Sequence, residues 1–595
     1  MRGTFFGIEI AKTGLSTAQF GLDSTSHNIS NTNTEGYTRQ RIVSTAYDPF
    51  ATIGKFAPVG HGLVGGGVRV QILDQIRSAY LDRRFRTESS SHSYWETRSQ
   101  SLSYIESFFD SVNEKTSINY SMAEFFKSMS VLATDPISQA PRTLMQTTAM
   151  DLVQQLNMVY DGLIDLQQNE NRAVETKTHL INAIAKDMAE LNKAIYSFEI
   201  TGMIANDLRD KRNLLVDQLS DLVDIEYETY PDIWGHDMFK VKIAGVTLVD
   251  HDMTADLGVR DVDNPIPGES PVFEVYWINV IDGSVFAGRG IDWEKIQGGE
   301  LKAHLDVRDG NETRPVWNEG LGEFESVATT DSRYRGLPYY VEMVNDLARA
   351  LVKEINEVHR QGWTDNPLGS TTGVNFFHEE NSWVTWTTAG GDLLEWDEAT
   401  ETWTDGTNTI GQDPVTGEFI VLAGGMEIED FTRELDVTQI TARNIDLSAE
   451  IKDSAYNIAC SSKPISRAGT NDDPLETQRH NNENIRAIYN LFSRTDIVVE
   501  RDGRRFDIGS FDDYGTVIRF DLGNTLHTAK QTAETARLLK LAAENQRTAI
   551  AGVSLDEEMV GLIKYQHAYN GASRVITAMD EALDRLINGT GRVGL

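Results

Sequence analysis

Apolar residues recur at seven-residue intervals near both ends of the chain. Near the N-terminus the series contains Ile8, Leu15, Leu22 and Ile29, with Ala11, Ala18 and Thr25 between them. Near the C-terminus there are two such series, Leu555, Leu562, Tyr569, Ile576 and Leu583, and then Tyr565, Ala572, Met579 and Leu586. This spacing places an apolar stripe on one side of a helix, which is the pattern of a coiled coil. The sequence therefore predicts terminal helices that pack on each other or on neighbouring subunits.

The same stripe is also typical of an ordinary helix that faces a globular core. The C-terminal pattern extends over more heptads than an average globular helix contains, and it runs almost to the last residue. Little chain remains to cover it, and an isolated two-helix coil buries little apolar surface. These features favour assembly over chemistry as the role of the chain.

The regions inside the two ends also have helical patterns. From about residue 99 to residue 224 the chain is poor in Gly and Pro, and helices are predicted over Asn206–Val223 and Leu337–His359. A further helical region runs from Thr525 and breaks at Ala551-Gly552. Ser554 and Glu557 then have the spacing of a capping box, which predicts where the last helix begins.

The middle of the chain has strand patterns instead. The segment MFKVKIAGVTLV alternates loosely, VFEVYWINVIDGSVFAG predicts a hairpin that turns at Asp282-Gly283, and GQDPVTGEFIVLAGG is a second turn-and-strand pattern. We therefore predict a multidomain α+β protein. Its domains are an inner coiled coil (1–40 with 552–595), a mainly helical domain (41–229, 298–363 and 437–551), a β-rich insertion (230–297) and an outer β-rich insertion (364–436).

Composition narrows the possible partners. The formal net charge is −36, and this charge would repel nucleic acid and anionic membrane surfaces. No run of apolar residues is long enough to cross a membrane, and the start MRGTFFGIEIAKTG lacks the pattern of a cleaved secretory signal. Cys460 is the single cysteine, so an internal disulfide is excluded.

Motifs for catalysis and metal binding are weak. HEENS at His378 lacks the second histidine of a zinc protease, and the glycines at 65–67 lack the Lys-Ser/Thr of a phosphate loop. The segment Asp261–Ser270 has two acids at calcium-loop spacing, with Pro and Ile where a ligand and a Gly are needed. The paired acids in GGDLLEWDEATETW could be the two carboxylates of a glycosidase. Acid pairs are so common in this acidic chain that they do not indicate a catalytic site. We expect no metal, no cofactor and no enzymatic activity.

One segment near the N-terminus carries a family signature. SHNISNTNTEGYTRQ, residues 26–40, resembles the segment shared by bacterial flagellar rod, hook and hook-associated proteins. The matching positions are Asn28, Ile29, Asn31, Thr34, Gly36, Tyr37, Arg39 and Gln40. His27 and Ser30 depart from that pattern, in which Asn and Ala are more common.

The C-terminal helix narrows the resemblance. Residues 552–589 look like the C-terminal helix of the hook-associated protein 1 family, as do the blocks NDLRDKRNLLVDQLSDLV, GGELKAHLDVRD and INEVHRQGW. The likeness is weak over 230–297 and does not extend over 365–436. The resemblance implies a structural subunit that polymerises at the distal end of the hook and joins hook to filament through its terminal helices.

The same resemblance implies partners and a location. It implies self-association in a helical assembly, hook protein on one side, hook-associated protein 3 on the filament side, and an export chaperone on the C-terminal helix. It also implies export through the flagellar type III channel to the extracellular flagellum. An alternative of another class remains, in which the Trp-rich acidic insertion is also a surface module that binds a glycan or a protein. Its tryptophans would then line an open groove rather than fill β cores.

Overall fold

The computed structural model describes most of the chain. The described residues are 6–47, 65–109, 117–281, 288–318, 323–329, 331–367, 369–397, 399–412, 419–466, 475–501 and 504–589. The hairpin turn predicted at Asp282-Gly283 lies outside these residues.

Helices dominate the described part of the chain. They are α1 (Phe6–Ser30), α2 (Ala79–Phe109), α3 (Ile118–Thr134), α4 (Gln139–Glu199), α5 (Asn206–Leu222), α6 (Glu300–Asp309), α7 (Leu337–His359), α8 (Ala449–Asp453), α9 (Leu475–Arg479), α10 (Glu483–Asn490), α11 (Phe511–Ala551) and α12 (Leu555–Asp584). A π-helical turn, Arg585–Gly589, follows α12. The predicted helix over 337–359 and the break after Ala551 are both found.

The strands form small antiparallel sheets. Their bounds are β1 (Gln40–Ala46), β2 (Val68–Gln75), β3 (Glu226–Pro231), β4 (Asp237–Ile243), β5 (Val246–Asp250), β6 (Met253–Thr254), β7 (Leu257–Val262), β8 (Val272–Trp277), β9 (Thr313–Asn318), β10 (Glu323–Ala328), β11 (Val384–Thr388), β12 (Leu393–Asp397), β13 (Thr402–Thr404), β14 (Thr409–Gln412), β15 (Phe419–Ala423), β16 (Phe431–Leu435), β17 (Ile497–Arg501) and β18 (Arg504–Gly509). The largest sheet has the order β15-β14-β13-β12-β11-β16. A second has the order β3-β4-β5-β6.

The main core lies where α2, α3, the first half of α4, α7 and α11 pack together. Apolar residues of α4 at helical spacing, such as Leu152, Leu156 and Leu163, are fully buried there. Asn356 of α7 ties an adjoining loop to this core, because its side chain accepts from the backbone N–H groups of Phe376 and Phe377 at 2.9 and 2.8 Å. This core holds the long helices that carry the paired ends of the chain.

A second core joins helices to the first β-rich region. The far half of α4, α5 and α6 pack against β4, β5, β7 and β8, and Trp277 is buried between them. Strands β4 and β5 meet at a tight turn in which Ala244 and Gly245 both have positive φ, as a two-residue hairpin requires. Because residues 230–297 share this core with α4, α5 and α6, they do not form a separate hydrophobic unit.

The six-stranded sheet is an insertion with a small core of its own, built on Trp386, Leu394, Trp403 and Ile410. The chain enters it through β11 and leaves through β16, and these two strands pair with each other. The sequence predicts that this insertion begins at residue 364. However, Phe376, Phe377 and Trp383 lie in the main core, so the segment from 364 to 383 packs with the helical body.

Candidate assembly site at the paired termini

Helices α1 and α12 pack side by side and run antiparallel. Moving seven residues forward along α1 moves the contact seven residues back along α12. The facing pairs are Gly7 with Met579, Gly14 with Ala572, Gly21 with Tyr565, and Asn28 with Glu558. The heptad expectation of a contact between the two ends is therefore found within a single chain. We call this contact, together with the loop 31–40, the terminal clasp.

The α1 side of the clasp matches the predicted stripe only in part, because its small residues are buried and its large residues are not. The buried positions of α1 are Ala11, Ala18, Gly21, Thr25 and Asn28, whereas the predicted large residues are half-buried beside the contact, namely Ile8, Leu15, Leu22 and Ile29. Small residues let the helix axes approach closely, so the large side chains of α12 fill the space. A search for apolar side chains overlooks glycine, but the seven-residue spacing of Gly7, Gly14 and Gly21 was a readable signal.

The α12 side uses the second of the two predicted series. Tyr565 and Met579 face the glycines of α1, and the remaining predicted positions Leu562, Tyr569, Ile576 and Leu583 are half-buried. Leu555 and Leu586 are 52% and 54% exposed, so the structure places them outside the contact within one chain. Glu558 is the one buried residue of α12. It continues the series of Tyr565 and Met579, and an apolar pattern misses it because it is charged.

Asn28 organises the polar end of the clasp. Its side-chain amide donates to the backbone oxygen of Gln40 at 2.8 Å and to the Glu558 carboxylate at 3.1 Å. Its side-chain oxygen accepts from the Tyr37 hydroxyl at 2.7 Å and from the Gln40 backbone N–H at 3.0 Å. Burial and nearby carboxylates raise the pKa of Tyr37 above its ordinary value, which keeps this hydroxyl a donor. Asn28 thus satisfies all of its hydrogen-bonding groups inside the fold.

Arg39 links this end to the start of α12. Its guanidinium bonds Glu558 at 2.7 Å and Glu557 at 2.5 Å, and its backbone N–H donates to the Ala551 oxygen at 2.9 Å. The capping box predicted from Ser554 and Glu557 is wrong, because the Ser554 side chain makes no capping hydrogen bond. The Glu557 carboxylate is held by Arg39 instead.

The loop also attaches the clasp to α5 in the helical body. The Gln40 side chain donates to Asp207 at 2.8 Å, and the Thr38 backbone N–H donates to Asp210 at 3.0 Å. Gly36 has a φ of 76° and lies so close to Leu214 that a Cβ at this position would stand 3.2 Å from the Leu214 Cβ. The loop therefore needs glycine here for both conformation and space.

Asn31 holds the turn that follows α1. Its amide donates to the backbone oxygen of His27 at 3.0 Å, and its side-chain oxygen accepts from the Thr34 hydroxyl at 3.1 Å. The His27 ring lies edge-on to the Tyr37 ring, with centroids 5.5 Å apart. The signature positions of the loop thus share one structural task, which is to join α1, α5 and α12.

A pair of glycine variants tests the close approach of α1 and α12. A methyl group at Gly21 would lie 2.3 Å from Cδ1 and 2.6 Å from Cγ of the Tyr565 ring, whereas one at Gly14 would meet Ala572 at an ordinary 3.9 Å. We expect Gly21→Ala to destabilise the clasp by about 1–3 kcal/mol through overpacking. Gly14→Ala is expected to stabilise it by up to about 1 kcal/mol through helix propensity. Hydrogen exchange of α12 in the two variants measures the difference, and equal protection would rule out the close contact.

Asp210 makes the stability of the contact between the loop 31–40 and α5 depend on pH. Burial raises the pKa of this carboxyl to about 6, although Thr38 and Arg77 oppose the shift. The folded protein therefore holds the proton more tightly than the unfolded chain, whose carboxyl pKa is about 4. The resulting stabilisation is complete below about pH 4 and is lost as the pH rises through about 6.

We therefore expect Asp210→Asn, which keeps an acceptor for the Thr38 N–H, to exceed the parent's thermal midpoint by a larger margin at pH 7.5 than at pH 4.5. Scanning calorimetry at the two pH values provides the comparison. The expectation would be contradicted by a variant that is less stable than the parent at pH 7.5 and equally stable at pH 4.5. Such a result would show that ionised Asp210 stabilises the contact between the loop and α5.

Metal and membrane features were also sought in the described ranges. Those residues contain no group of three or more His, Cys, Asp or Glu side chains arranged to hold a metal ion. Among the described helices, none combines the length and the apolar character needed to cross a bilayer.

Comparisons with known proteins agree with this architecture. Residues 102–377 match the family model of the flagellar hook-associated protein FlgK helical domain, and residues 544–589 match that of the flagellar basal body rod FlgEFG protein C-terminal region. Flagellar hook-associated protein 1 of Bacillus subtilis is 26% identical, with 99% of each chain covered. The Escherichia coli protein of the same name is 24% identical over 98% of this chain and 99% of its own.

A solved structure shows the same fold. The flagellar hook junction protein FlgK from Burkholderia pseudomallei superposes with a TM-score of 0.52 and 14% identity, covering 79% of this chain and 100% of that one. A helical body of this kind on paired terminal helices defines a structural protein of the flagellar axis. The family models and the relatives support the flagellar hook-associated protein 1 family for this chain, with a structural role at the hook junction of the extracellular flagellum.

Proposed function

We propose that this chain polymerises at the distal end of the hook and joins hook to filament through coiled-coil packing of its terminal helices. The proposal rests on the apolar side chains of α12 that are exposed in the single chain. Although the clasp is closed, Met559, Val560 and Ile563 are 52%, 67% and 49% exposed, and Val575 is 49% exposed. An apolar surface of this extent on a soluble helix is typical of an interaction site.

The C-terminal part of α11 also carries exposed apolar side chains. Leu538, Leu541 and Ile550 are 51%, 45% and 46% exposed. Neighbouring copies of the chain would cover these positions in a helical assembly, together with the half-buried stripe of Ile8, Leu15, Leu22 and Ile29 on α1. The clasp would fix the geometry inside each subunit, and the remaining stripes would form the contacts between subunits.

The proposed partners follow from this position. Hook protein would lie on one side of the junction and hook-associated protein 3 on the filament side. An export chaperone would cover the apolar stripe of α12 before export through the flagellar type III channel, because an exposed stripe of this kind promotes aggregation. The net charge of −36 argues against nucleic acid and anionic membranes as further partners.

Reconstitution on isolated hooks tests the proposal. Purified protein is added to hooks that lack junction proteins, and hook-associated protein 3 and flagellin are added afterwards. We expect the parent chain to cap the distal end and to permit filament attachment, and a chain truncated after residue 554 to do neither. Attachment of filaments in the absence of this chain, or by the truncated chain, would contradict the proposal.

The insertion should be dispensable for this role. The backbones of Thr385 and Glu434 are paired partners in β11 and β16, so two glycines can join them after deletion of 386–433. We expect normal filaments and only a small loss of body stability, because Glu379 loses Arg433 but keeps Arg360 as a partner. Deleting the larger segment 365–436 should instead destabilise the body by several kcal/mol, because it removes the core residues Phe376 and Phe377. Loss of filaments with the smaller deletion, in a stably exported protein, would show that the sheet makes subunit contacts.

The alternative function, ligand binding by the Trp-rich insertion, has mixed support. Trp277, Trp383, Trp386 and Trp403 are buried in cores, as structural tryptophans are. Trp396 is half-buried and lines an open groove. Among the described tryptophans of residues 364–436, Trp396 alone has the placement that the alternative requires.

A further inference from the structure

A groove of about 800 Å³ lies between the six-stranded sheet and the helical body. Its sheet side is formed by Trp396, Glu401, Phe419 and Arg433, and its body side by the loop 371–382 and the segment 448–457. It lies far along the chain from the terminal clasp. The volume is in the range of sites that hold small molecules.

An aromatic floor extends from the sheet core into this groove. The Trp396 ring packs on the buried Trp403 ring with centroids 4.5 Å apart, and Phe419 lies 5.5 Å from Trp403. Both Trp396 and Phe419 are half-buried, so each has one side in the core and remains accessible from the groove. The Arg433 guanidinium lies 5.1 Å from the centre of the Phe419 ring. The floor is thus packed against the sheet core from beneath.

Polar groups form the opposite wall. Glu379 is buried, and its carboxylate bonds both Arg433 and Arg360, which fixes the sheet to the body. Two buried polar atoms of the lining residues, Asn375 Oδ1 and Arg433 Nε, have no hydrogen-bond partner within the described part of the chain. Glu401 adds an exposed carboxylate at the rim, from a residue with a φ of 53°. The wall therefore offers both donors and acceptors to a ligand.

The charge of the region selects among ligands. Residues 364–436 contain sixteen acidic side chains and a single basic one, Arg433, which is already paired with Glu379. An anionic ligand would be repelled by this field. A neutral sugar ring avoids that cost, because its C–H face packs on an aromatic ring while its hydroxyls exchange hydrogen bonds with amides and carboxylates.

We propose that this groove binds a neutral oligosaccharide, with one pyranose ring stacked on Trp396 and its hydroxyls directed to Asn375, Arg433 and Glu401. This function is separate from assembly at the hook and does not depend on it. It gives the insertion a function of its own, which assembly through the terminal helices does not need.

Titration of the purified full-length monomer with tetrasaccharides tests the proposal, with tryptophan fluorescence and isothermal calorimetry as readouts. The probes are the neutral tetramers of glucose, mannose and N-acetylglucosamine, and the acidic tetramer of galacturonate. We expect at least one neutral probe to bind with a dissociation constant below about 1 mM, and the acidic probe to bind at least about tenfold more weakly.

Three variants locate the site. Trp396→Ala should weaken binding of the neutral probe by about tenfold or more through loss of the stacking contact. Trp234→Ala is the matched control, since this indole is 75% exposed in the other β-rich region and should leave binding unchanged. Glu401→Arg alters only the exposed rim, so it keeps the test valid should Trp396→Ala unfold the sheet, and it should weaken binding by at least about threefold.

The absence of binding by all three neutral tetramers would overturn the proposal. Binding that is insensitive to both Trp396→Ala and Glu401→Arg would also overturn it, as would equal binding of the acidic probe. None of these outcomes bears on assembly at the hook, which is tested separately on isolated hooks.

Discussion

A chain carrying Ile576→Asp or Leu562→Asp is expected to fold normally and to fail to join the hook–filament junction. Both side chains are only half-buried in the single chain, so an aspartate there retains much of its hydration. In the proposed assembly the same positions are covered by neighbours, and an unpaired carboxylate would be desolvated at a cost of several kcal/mol for each subunit. Because every subunit carries the change, the assembled state should not form.

The measurement is incorporation on isolated hooks, scored by electron microscopy, beside a thermal melt of the monomer. Thr577→Asp is the matched control, since it adds the same charge at the next residue, which is exposed. We expect the control to assemble and all three proteins to melt within a few degrees of the parent. Normal incorporation of Ile576→Asp and Leu562→Asp would show that assembly does not depend on the apolar stripe of α12.

Glu558→Ala is expected to detach α12 from α1 at its polar end. The Glu558 carboxylate is 5% exposed and accepts hydrogen bonds from both Arg39 and Asn28. Removing it leaves those donors without their acceptor, at a cost of about 2–4 kcal/mol to the clasp. The loss should appear as faster hydrogen exchange in residues 555–584 and in α1, while the main core remains protected.

Glu557→Ala is the control, because its carboxylate also bonds Arg39 but is 63% exposed. A solvated ion pair contributes about 1 kcal/mol or less, so exchange of α12 should change little. Similar exchange in the two variants would mean that the buried network does not hold the helices together.

The sequence predicted the helices well because their patterns are local. The helix over 337–359 has an uninterrupted apolar stripe and is found with the predicted bounds. The contact between the chain ends also follows from the heptad spacing. In both cases periodicity along the chain is sufficient, and no knowledge of the tertiary neighbours is required.

The residues that make the contact were harder to predict from the sequence, because they depend on the shape of the partner helix. On α1 the contact runs along Gly7, Gly14 and Gly21, which a hydrophobic pattern does not register. On α12 the buried charge of Glu558 has meaning only once Arg39 and Asn28 are placed beside it. The capping box failed for the same reason, because Arg39 competes for Glu557 through a tertiary contact.

Domain bounds in the insertion also depended on tertiary packing. Composition marks 364–436 as acidic and rich in turns, but it does not show that Phe376 and Phe377 pack on α7. The paired strands β11 and β16 give the physical boundary, at Val384 and Leu435. Tryptophan content likewise left open whether these side chains fill β cores or line a groove, and only burial separates Trp403 from Trp396.

Electron cryo-microscopy of the polymer that the purified chain forms on isolated hook ends tests the central claim most directly. The account predicts that each subunit keeps α1 and α12 paired within one chain, with Gly21 against Tyr565 and Asn28 against Glu558. It also predicts that neighbouring copies cover Leu562, Ile576 and the exposed apolar side chains of α12. A polymer in which these side chains face solvent, and subunits touch through the six-stranded sheet alone, would contradict it.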